Sequence, residues 1–185
     1  AFFFYNMGVQ TVMFLAATFG DKELKLPGEK LILTVLIIQV VAVAGSYLFA
    51  YVSKVKGNKI SLSTMVVIWI LVCLGAYFVT SAMQFYVVAT VVGLVMGGIQ
   101  SQSRSAFSKL IPENTIDHAS YFSFYDVTEK LSIVIGTFAY GLIEQLTGSM
   151  RNSTLALATF FILGLLFLRQ TNFNVIRLPK AEKAR

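Results

Sequence analysis

Six long apolar stretches, separated by short polar breaks, make up nearly the whole chain. They run over Ala1–Phe19, Leu31–Val52, Ile60–Thr80, Phe85–Ser103, Tyr121–Leu146 and Thr154–Leu168. Most reach the ~20 residues that a helix needs to cross ~30 Å of hydrocarbon. The sixth is short, and the first opens abruptly at Ala1, so a helix truncated at its start, in a fragment of a longer chain, is expected there. The runs are continuous, whereas a closed β-barrel needs strands of ~10 residues that alternate apolar with polar. Pro27, Pro112 and Pro179 all fall outside the stretches, where a missing backbone donor interrupts no helix. The pattern predicts an all-α membrane protein with six transmembrane helices. Residues 1–168 would form one membrane domain and residues 169–185 a basic cytoplasmic tail.

Composition sharpens this. Hydrophobic residues are 56% of the chain and charged ones 13%, against about a quarter charged in an ordinary soluble domain. The net charge of +6 lies in the breaks between apolar spans, which favours the lipid bilayer over nucleic acid as the partner. The one cysteine, Cys73, lies inside a span and can form no intrachain disulfide. Loop cations set the orientation. One set of connections and the tail hold ten: Lys54, Lys56, Lys59, Arg104, Lys109, Arg169, Arg177, Lys180, Lys183 and Arg185. The other set holds four: Lys22, Lys25, Lys30 and Arg151. Ten against four puts the C-terminus in the cytoplasm and, with six spans, the start of the chain as well.

Polar residues inside the spans carry the candidate chemistry. Asn6 and Gln10 lie four residues apart, on one helical face, with Tyr5 beside them. That stripe either lines a solute pathway or supplies interhelical hydrogen bonds worth ~0.6 kcal/mol on average. Gln39, Ala42, Ser46 and Ala50 form a small-residue stripe in span two suited to close packing, as does the Gly93/Gly97 pair in span four. Spans three and six are the most uniformly apolar and are expected to be outer helices facing lipid.

Span five is the most informative. Asp126, Glu129 and Lys130 fall within about 100° of arc, with Tyr125 next to them and Ile133 and Thr137 continuing the face. A central charge costs ~2.5–3.5 kcal/mol, while each Leu, Ile, Val or Phe returns only ~0.3–0.6. The ten such residues between Phe122 and Ile143 cannot offset three central charges. Either the charges are sheltered by partners or water, or they sit near the cytoplasmic interface. Arg104, which closes span four, either anchors its helix at headgroup level or pairs with Asp126 or Glu129. Glu144 is expected to be solvated and His118 to be a loop residue.

The segments Gly97-Gly-Ile-Gln-Ser-Gln-Ser-Arg-Ser-Ala-Phe-Ser-Lys-Leu-Ile-Pro112, Tyr121-Phe-Ser-Phe-Tyr-Asp-Val-Thr-Glu-Lys130 and Gly141-Leu-Ile-Glu-Gln-Leu-Thr-Gly-Ser149 resemble the C-terminal half of major facilitator superfamily transporters. The group in question contains the fungal vacuolar amino-acid effluxers and their bacterial relatives. The resemblance covers most of residues 97–167 and is generic upstream. It implies twelve helices in two halves, this chain supplying helices seven to twelve, with alternating access around a central cavity lined by spans one and four. It also implies a bacterial inner membrane, or a vacuolar membrane in a eukaryote. One signature is degraded: in Ala50-Tyr-Val-Ser-Lys-Val-Lys-Gly-Asn-Lys59, Lys54 stands where the family carries an acid.

The expected function is therefore that of a secondary permease half for a small polar solute, amino acids among the candidates, with proton or ion coupling as a further expectation. Its partners would be the bilayer, the N-terminal six-helix half and the solute. The substrate-pathway or gating set is Asn6, Gln10, Gln100, Arg104, Tyr125, Asp126, Glu129 and Lys130. No catalytic residue, metal site or cofactor is expected: there is one His, one Cys, and no H-E-x-x-H, G-x-S-x-G or phosphate-binding loop. A non-transporting membrane scaffold or assembly subunit is the alternative, and it would lack a continuous polar path.

Overall fold

A computed structural model describes residues 1–112 and 117–171. Six helices follow one another: α1 (Phe2–Leu24), α2 (Gly28–Lys56), α3 (Asn58–Phe78), α4 (Ala82–Ser108), α5 (His118–Thr147) and α6 (Met150–Gln170). Each apolar stretch has become one helix, usually a few residues longer than its apolar run because the polar flanks continue the coil. The fourth gains most, Ala82–Ser108 being 27 residues, and the short sixth reaches 21 because Met150–Ser153 are helical too. His118 is the first residue of α5 and not a loop residue. The tail cations Arg177, Lys180, Lys183 and Arg185 lie outside the described residues.

Length and apolarity suffice for α1, α2, α3, α4 and α6 to cross a membrane. At 30 residues α5 is the longest helix, and its charges are what set it apart. The α2–α3 and α3–α4 connections are tight. Gly57, with φ of 90°, is the single residue between α2 and α3, a backbone state in which a Cβ would be strained. Ser81 caps α4 through a reciprocal pair with Gln84.

Contacts define two ends. At the near end, where α1 begins, Lys59 at the start of α3 donates to the carbonyls of Arg169 (2.7 Å) and Thr171 (2.8 Å) at the end of α6. Those carbonyls lack helical partners, so the ammonium both satisfies and pins the helix end. Lys109 and Ser53 both reach Asn58 Oδ1 there, at 3.2 and 2.6 Å. At the far end Arg151 bridges Glu23 (3.0 Å) and the Tyr77 carbonyl (2.8 Å), and Lys22 meets Glu144 at 3.2 Å. Glu144, expected to be solvated, is thus paired.

Lipid tails are as apolar as the side chains, so helices associate in a membrane through close packing more than through exclusion of water. The α2–α4 contact is the most intimate. Gly45 abuts the Leu94 backbone, Gly97 the Ala42 backbone and Gly93 that of Ile38. The pair Gly93/Gly97 does mark a close contact, but the α2 stripe is turned from its expected phase. Ala42 and Ser46 are half-buried at the contact, Gly45 and Phe49 are its buried centre, and Gln39 and Ala50 are exposed. Helices α3 and α6 pack together around Trp69 and Phe161, both fully buried with rings stacked at 5.4 Å. Each is covered on one side only; Val67, Leu71 and Phe78 of α3, and Ile162, Leu166 and Phe167 of α6, are exposed apolar residues. Helix α2 is less enclosed than either, with Thr34, Gly45, Phe49 and Ser53 its buried residues, which the uniform apolarity of its sequence did not single out.

Candidate functional site

The first turns of α1 are unusual in burying polar side chains: Tyr5, Asn6 and Gln10 are each under a tenth exposed. In a lipid setting each must find a partner within the bundle or in trapped water. Tyr5 Oη lies 2.7 Å from Ser103 Oγ on α4. The Ser103 hydroxyl donates its own hydrogen to the Ile99 carbonyl at 2.6 Å, so Tyr5 is the donor. In the same way Ser132 of α5 donates to the Glu129 carbonyl at 2.7 Å and accepts from Asn6 Nδ2 at 2.5 Å. Gln10 Nε2 donates to Glu129 Oε1 at 3.2 Å. Three α1 side chains therefore tie that helix to α4 on one side and α5 on the other.

Gly136 makes this approach possible. Thr11 and the Met7 carbonyl occupy the space where a Cβ would sit, so α1 and α5 cross closely just beyond the polar cluster. Helices α4 and α5 touch only near their joined ends, where Phe107 packs on Phe122 at 6.0 Å and on Tyr125. Arg104 also links them, its Nη2 lying 3.0 Å from Asp126 Oδ1 and 3.9 Å from Glu129 Oε2. Its guanidinium sits 5.5 Å from the centre of the Tyr125 ring, within cation–π range. Tyr125 is itself stacked on Phe2 at 4.3 Å and tilted against Phe107 at 5.0 Å.

The result is a cleft of ≈ 280 Å³ between α4 and α5 with α1 as its floor, lined by Phe2, Tyr5, Asn6, Gln10, Ile99, Gln100, Ser103, Arg104, Tyr125 and Glu129. Its walls offer amide, hydroxyl, guanidinium and carboxylate groups. The far half of the bundle is the opposite. The cavity there, ≈ 60 Å³, is lined by apolar residues such as Val12, Phe19, Cys73, Val92 and Leu157. The cleft with charged and amide walls lies in the near half, and the far-end ion pairs of Arg151 and Lys22 lie outside the far cavity.

Exposure separates the charged groups. The Arg104 and Asp126 side chains are 58% and 56% exposed, whereas Glu129 is 26% exposed. An ion pair that open contributes at most about 1 kcal/mol, so Arg104–Asp126 is a bridge that breaks easily. Glu129, held by Gln10 and facing Arg104, is the enclosed acid.

Of the residues singled out from sequence, Asn6, Gln10, Gln100, Arg104, Tyr125 and Glu129 line the cleft, and Asp126 joins it through Arg104. The Gln100 amide approaches Met13 Sδ at 3.3 Å. Lys130 is not brought in: it is exposed and makes no ion pair or hydrogen bond among the described residues. Ser103, Ser132 and Phe2 were not anticipated. The serines back-bond to their own helices, an ordinary habit of hydroxyls in apolar helices, and only the neighbouring α1 reveals their second role.

Comparison with known proteins agrees with this architecture. The family model described as "Vacuole effluxer Atg22 like" matches residues 1–176. An uncharacterized MFS-type transporter of Bacillus subtilis (strain 168), YxiO, is 31% identical over 169 residues, covering 91% of this chain and 39% of the relative. Autophagy-related protein 22 of Cryptococcus neoformans is 29% identical over 178 residues, covering 88% of this chain and 31% of the relative. The Saccharomyces cerevisiae protein of the same name is 27% identical, covering 98% of this chain and 36% of the relative. The chain thus spans between about three-tenths and two-fifths of the length of these relatives. No solved structure matches it. An all-helical, membrane-embedded chain matched over nearly its whole length by that model belongs to the Atg22-like vacuole effluxer family of transporters.

Proposed function

We propose that this chain is the C-terminal six-helix half of an alternating-access permease that moves a small polar solute, with amino acids as the class to test first. The observation that carries the proposal is the polar cleft between α1, α4 and α5, whose walls carry charged and amide side chains that the mainly apolar cavity of the far half lacks. Small-molecule sites usually enclose ~300–1,000 Å³; a cleft of ≈ 280 Å³ suits one wall of a site completed by a second bundle. A pathway of this kind also distinguishes a permease from a scaffold, which needs no continuous polar surface.

In this reading Arg104 and Glu129 present a cation and an anion to a zwitterionic solute, and the amides of Asn6, Gln10 and Gln100 replace its hydration. The near end, which bears Lys54, Lys56, Lys59, Lys109 and Arg169, faces the cytoplasm by the positive-inside rule. The exposed Arg104–Asp126 bridge is the contact that opens and closes as the halves rock, and Asp126 or Glu129 is the candidate carrier of a coupling proton.

The test is uptake of radiolabelled amino acids, each assayed separately, by the full-length protein in proteoliposomes. Glu129→Gln keeps the volume and the Gln10 contact but removes the charge. Loss of even ~1.4 kcal/mol of solute interaction lowers uptake about tenfold. Unchanged uptake in both Glu129→Gln and Asp126→Asn, at equal protein incorporation, would refute the assignment.

A further inference from the structure

Gln39 is the one amide side chain in α2, and neither helix packing nor the cleft accounts for it. It stands on the stripe expected to pack, yet it is exposed, because α4 docks on Gly45 instead. Two hydroxyls of α2 are satisfied on their own helix: Thr34 Oγ1 donates to the Lys30 carbonyl at 2.8 Å and Ser46 Oγ to that of Val43 at 2.7 Å. The Gln39 amide, with two donors and an acceptor, has no hydrogen-bond partner among the described residues. Counted from Gly28, it lies ~17 Å along the helix, near the middle of ~30 Å of hydrocarbon. An amide left in lipid at that depth carries a desolvation cost that no neighbour offsets.

The surroundings of Gln39 connect it to the cleft. A cavity of ≈ 80 Å³ lies between α1, α2 and α4, with Gln39, Ile38, Met13, Ala17, Val92 and Met96 in its walls. Two walls of the cleft run into it. On α1, Gln10 of the cleft and Met13 and Ala17 of the cavity recur at three- and four-residue spacing, which is one face of a helix. On α4, Gln100 of the cleft and Met96 of the cavity are four residues apart, again on one face. The two faces meet where Gln100 Nε2 approaches Met13 Sδ at 3.3 Å. The Ile38 backbone abuts Gly93, and Gln100 is ~10.5 Å further along α4 toward the near end. Gln39 therefore stands ~9 Å beyond Gln100 on the way to the far end.

We propose that the solute route continues from the cleft past Gln100 and Met13 into this cavity, and that Gln39 is a solute-contacting residue there. Its amide takes up the hydrogen bonds of the solute's polar groups at mid-membrane, after Arg104 and Glu129 have been left behind. This rests on the permease reading above and adds α2 to the helices that touch the solute. The constriction between cleft and cavity is built to yield, because Met13 and Met96 are unbranched and adapt their shape at little cost. Since the contact is made in passage and not in the cleft, it stabilises the crossing and not the seated solute. Its loss therefore lowers the maximal rate and leaves KM near that of the wild type.

The experiment uses the full-length protein in proteoliposomes, with Gln39→Leu and Gln39→Asn and each common amino acid assayed separately; the apparent unfolding temperature is measured alongside. Gln39→Leu should lower the maximal uptake rate about three- to tenfold, the loss of one hydrogen bond, with KM and unfolding temperature unchanged. Gln39→Asn, which keeps the amide, should retain more of the rate. In a background whose native cysteines are all Ala, single thiols are placed at Gln39 and at Leu48, which is exposed and ~180° round the helix. A membrane-impermeant methanethiosulfonate reagent, applied to both faces, should modify the thiol at 39 and spare the one at 48. Wild-type kinetics in Gln39→Leu, a raised KM at an unchanged maximal rate, an inert thiol at 39, or earlier unfolding that marks Gln39 as a bond between helices would each overturn the proposal. Wild-type kinetics in Gln39→Leu alongside lost uptake in Glu129→Gln removes this inference alone; unchanged uptake in Glu129→Gln and Asp126→Asn removes the permease reading as well.

Discussion

Replacing Gly97 by Ala tests whether close packing of α2 on α4 holds the bundle together. The new methyl would be driven into the carbonyl and Cα of Ala42. Backbone atoms in the middle of a helix cannot swing aside as a side-chain tip does, so the two helices must separate. Separation also loosens Gly45 from Leu94 and Gly93 from Ile38 along the same seam. Overpacking of this kind costs about 1–3 kcal/mol. Against it stands the gain of ~0.5–1 kcal/mol from replacing glycine by alanine within a helix. The clean comparison is Gly75→Ala within α3, where the methyl meets nothing within 4 Å and only the gain remains. The packing term is the difference between the two variants, about 1–3 kcal/mol, or ~2–12 °C in apparent unfolding temperature for a domain of this size. A thermal-shift assay on the full-length protein in one detergent measures it directly. Equal unfolding temperatures for Gly97→Ala and Gly75→Ala would refute the packing argument.

Other consequences are sharper at single contacts. Tyr5→Phe removes the buried donor to Ser103 while leaving the Ser103–Ile99 bond intact; it should cost about 0.5–1.5 kcal/mol, seen as a small thermal shift, and a larger loss would mean that Tyr5 also contacts solute. Arg151→Met leaves Glu23 and the Tyr77 carbonyl without their shared donor; about 1–3 kcal/mol of destabilisation is expected, and Glu23→Gln, which keeps a hydrogen-bonding side chain, should lose less.

The six helices were legible because each apolar run has a length that the membrane dictates, and because proline and glycine punctuate the breaks between runs. The Gly93/Gly97 contact was legible for a related reason, since little but backbone fits where two small residues recur at four-residue spacing. The phase of α2 was not. Gln39, Ala42, Ser46 and Ala50 share a face of their own helix, but where that face points depends on α4, which docks on Gly45 instead. The candidate site was half-legible. Asn6, Gln10 and Glu129 declared themselves by polarity in apolar surroundings. Ser103 and Ser132, the partners of Tyr5 and Asn6, look like any hydroxyl in a membrane helix until α1 is placed between them. Asp126 and Lys130 lie on one stripe by spacing alone, yet only the position of Arg104 on α4 tells them apart: one is paired across the cleft and the other is left at its rim.

The central claim is that the α1/α4/α5 cleft is a water-filled, solute-occupied pathway. Cys73 is the only cysteine of this chain, so a full-length background in which it and every cysteine outside this chain are Ala allows single thiols to be placed at Gln10, Gln100 and, as a lipid-face control, Phe138. Reaction with a membrane-impermeant methanethiosulfonate reagent is followed with and without the amino acid whose uptake Glu129→Gln impairs. Thiols at 10 and 100 should react and be protected by that amino acid, while the thiol at 138 stays inert; inert thiols at both cleft positions, or reaction that the amino acid leaves unchanged, would contradict the account.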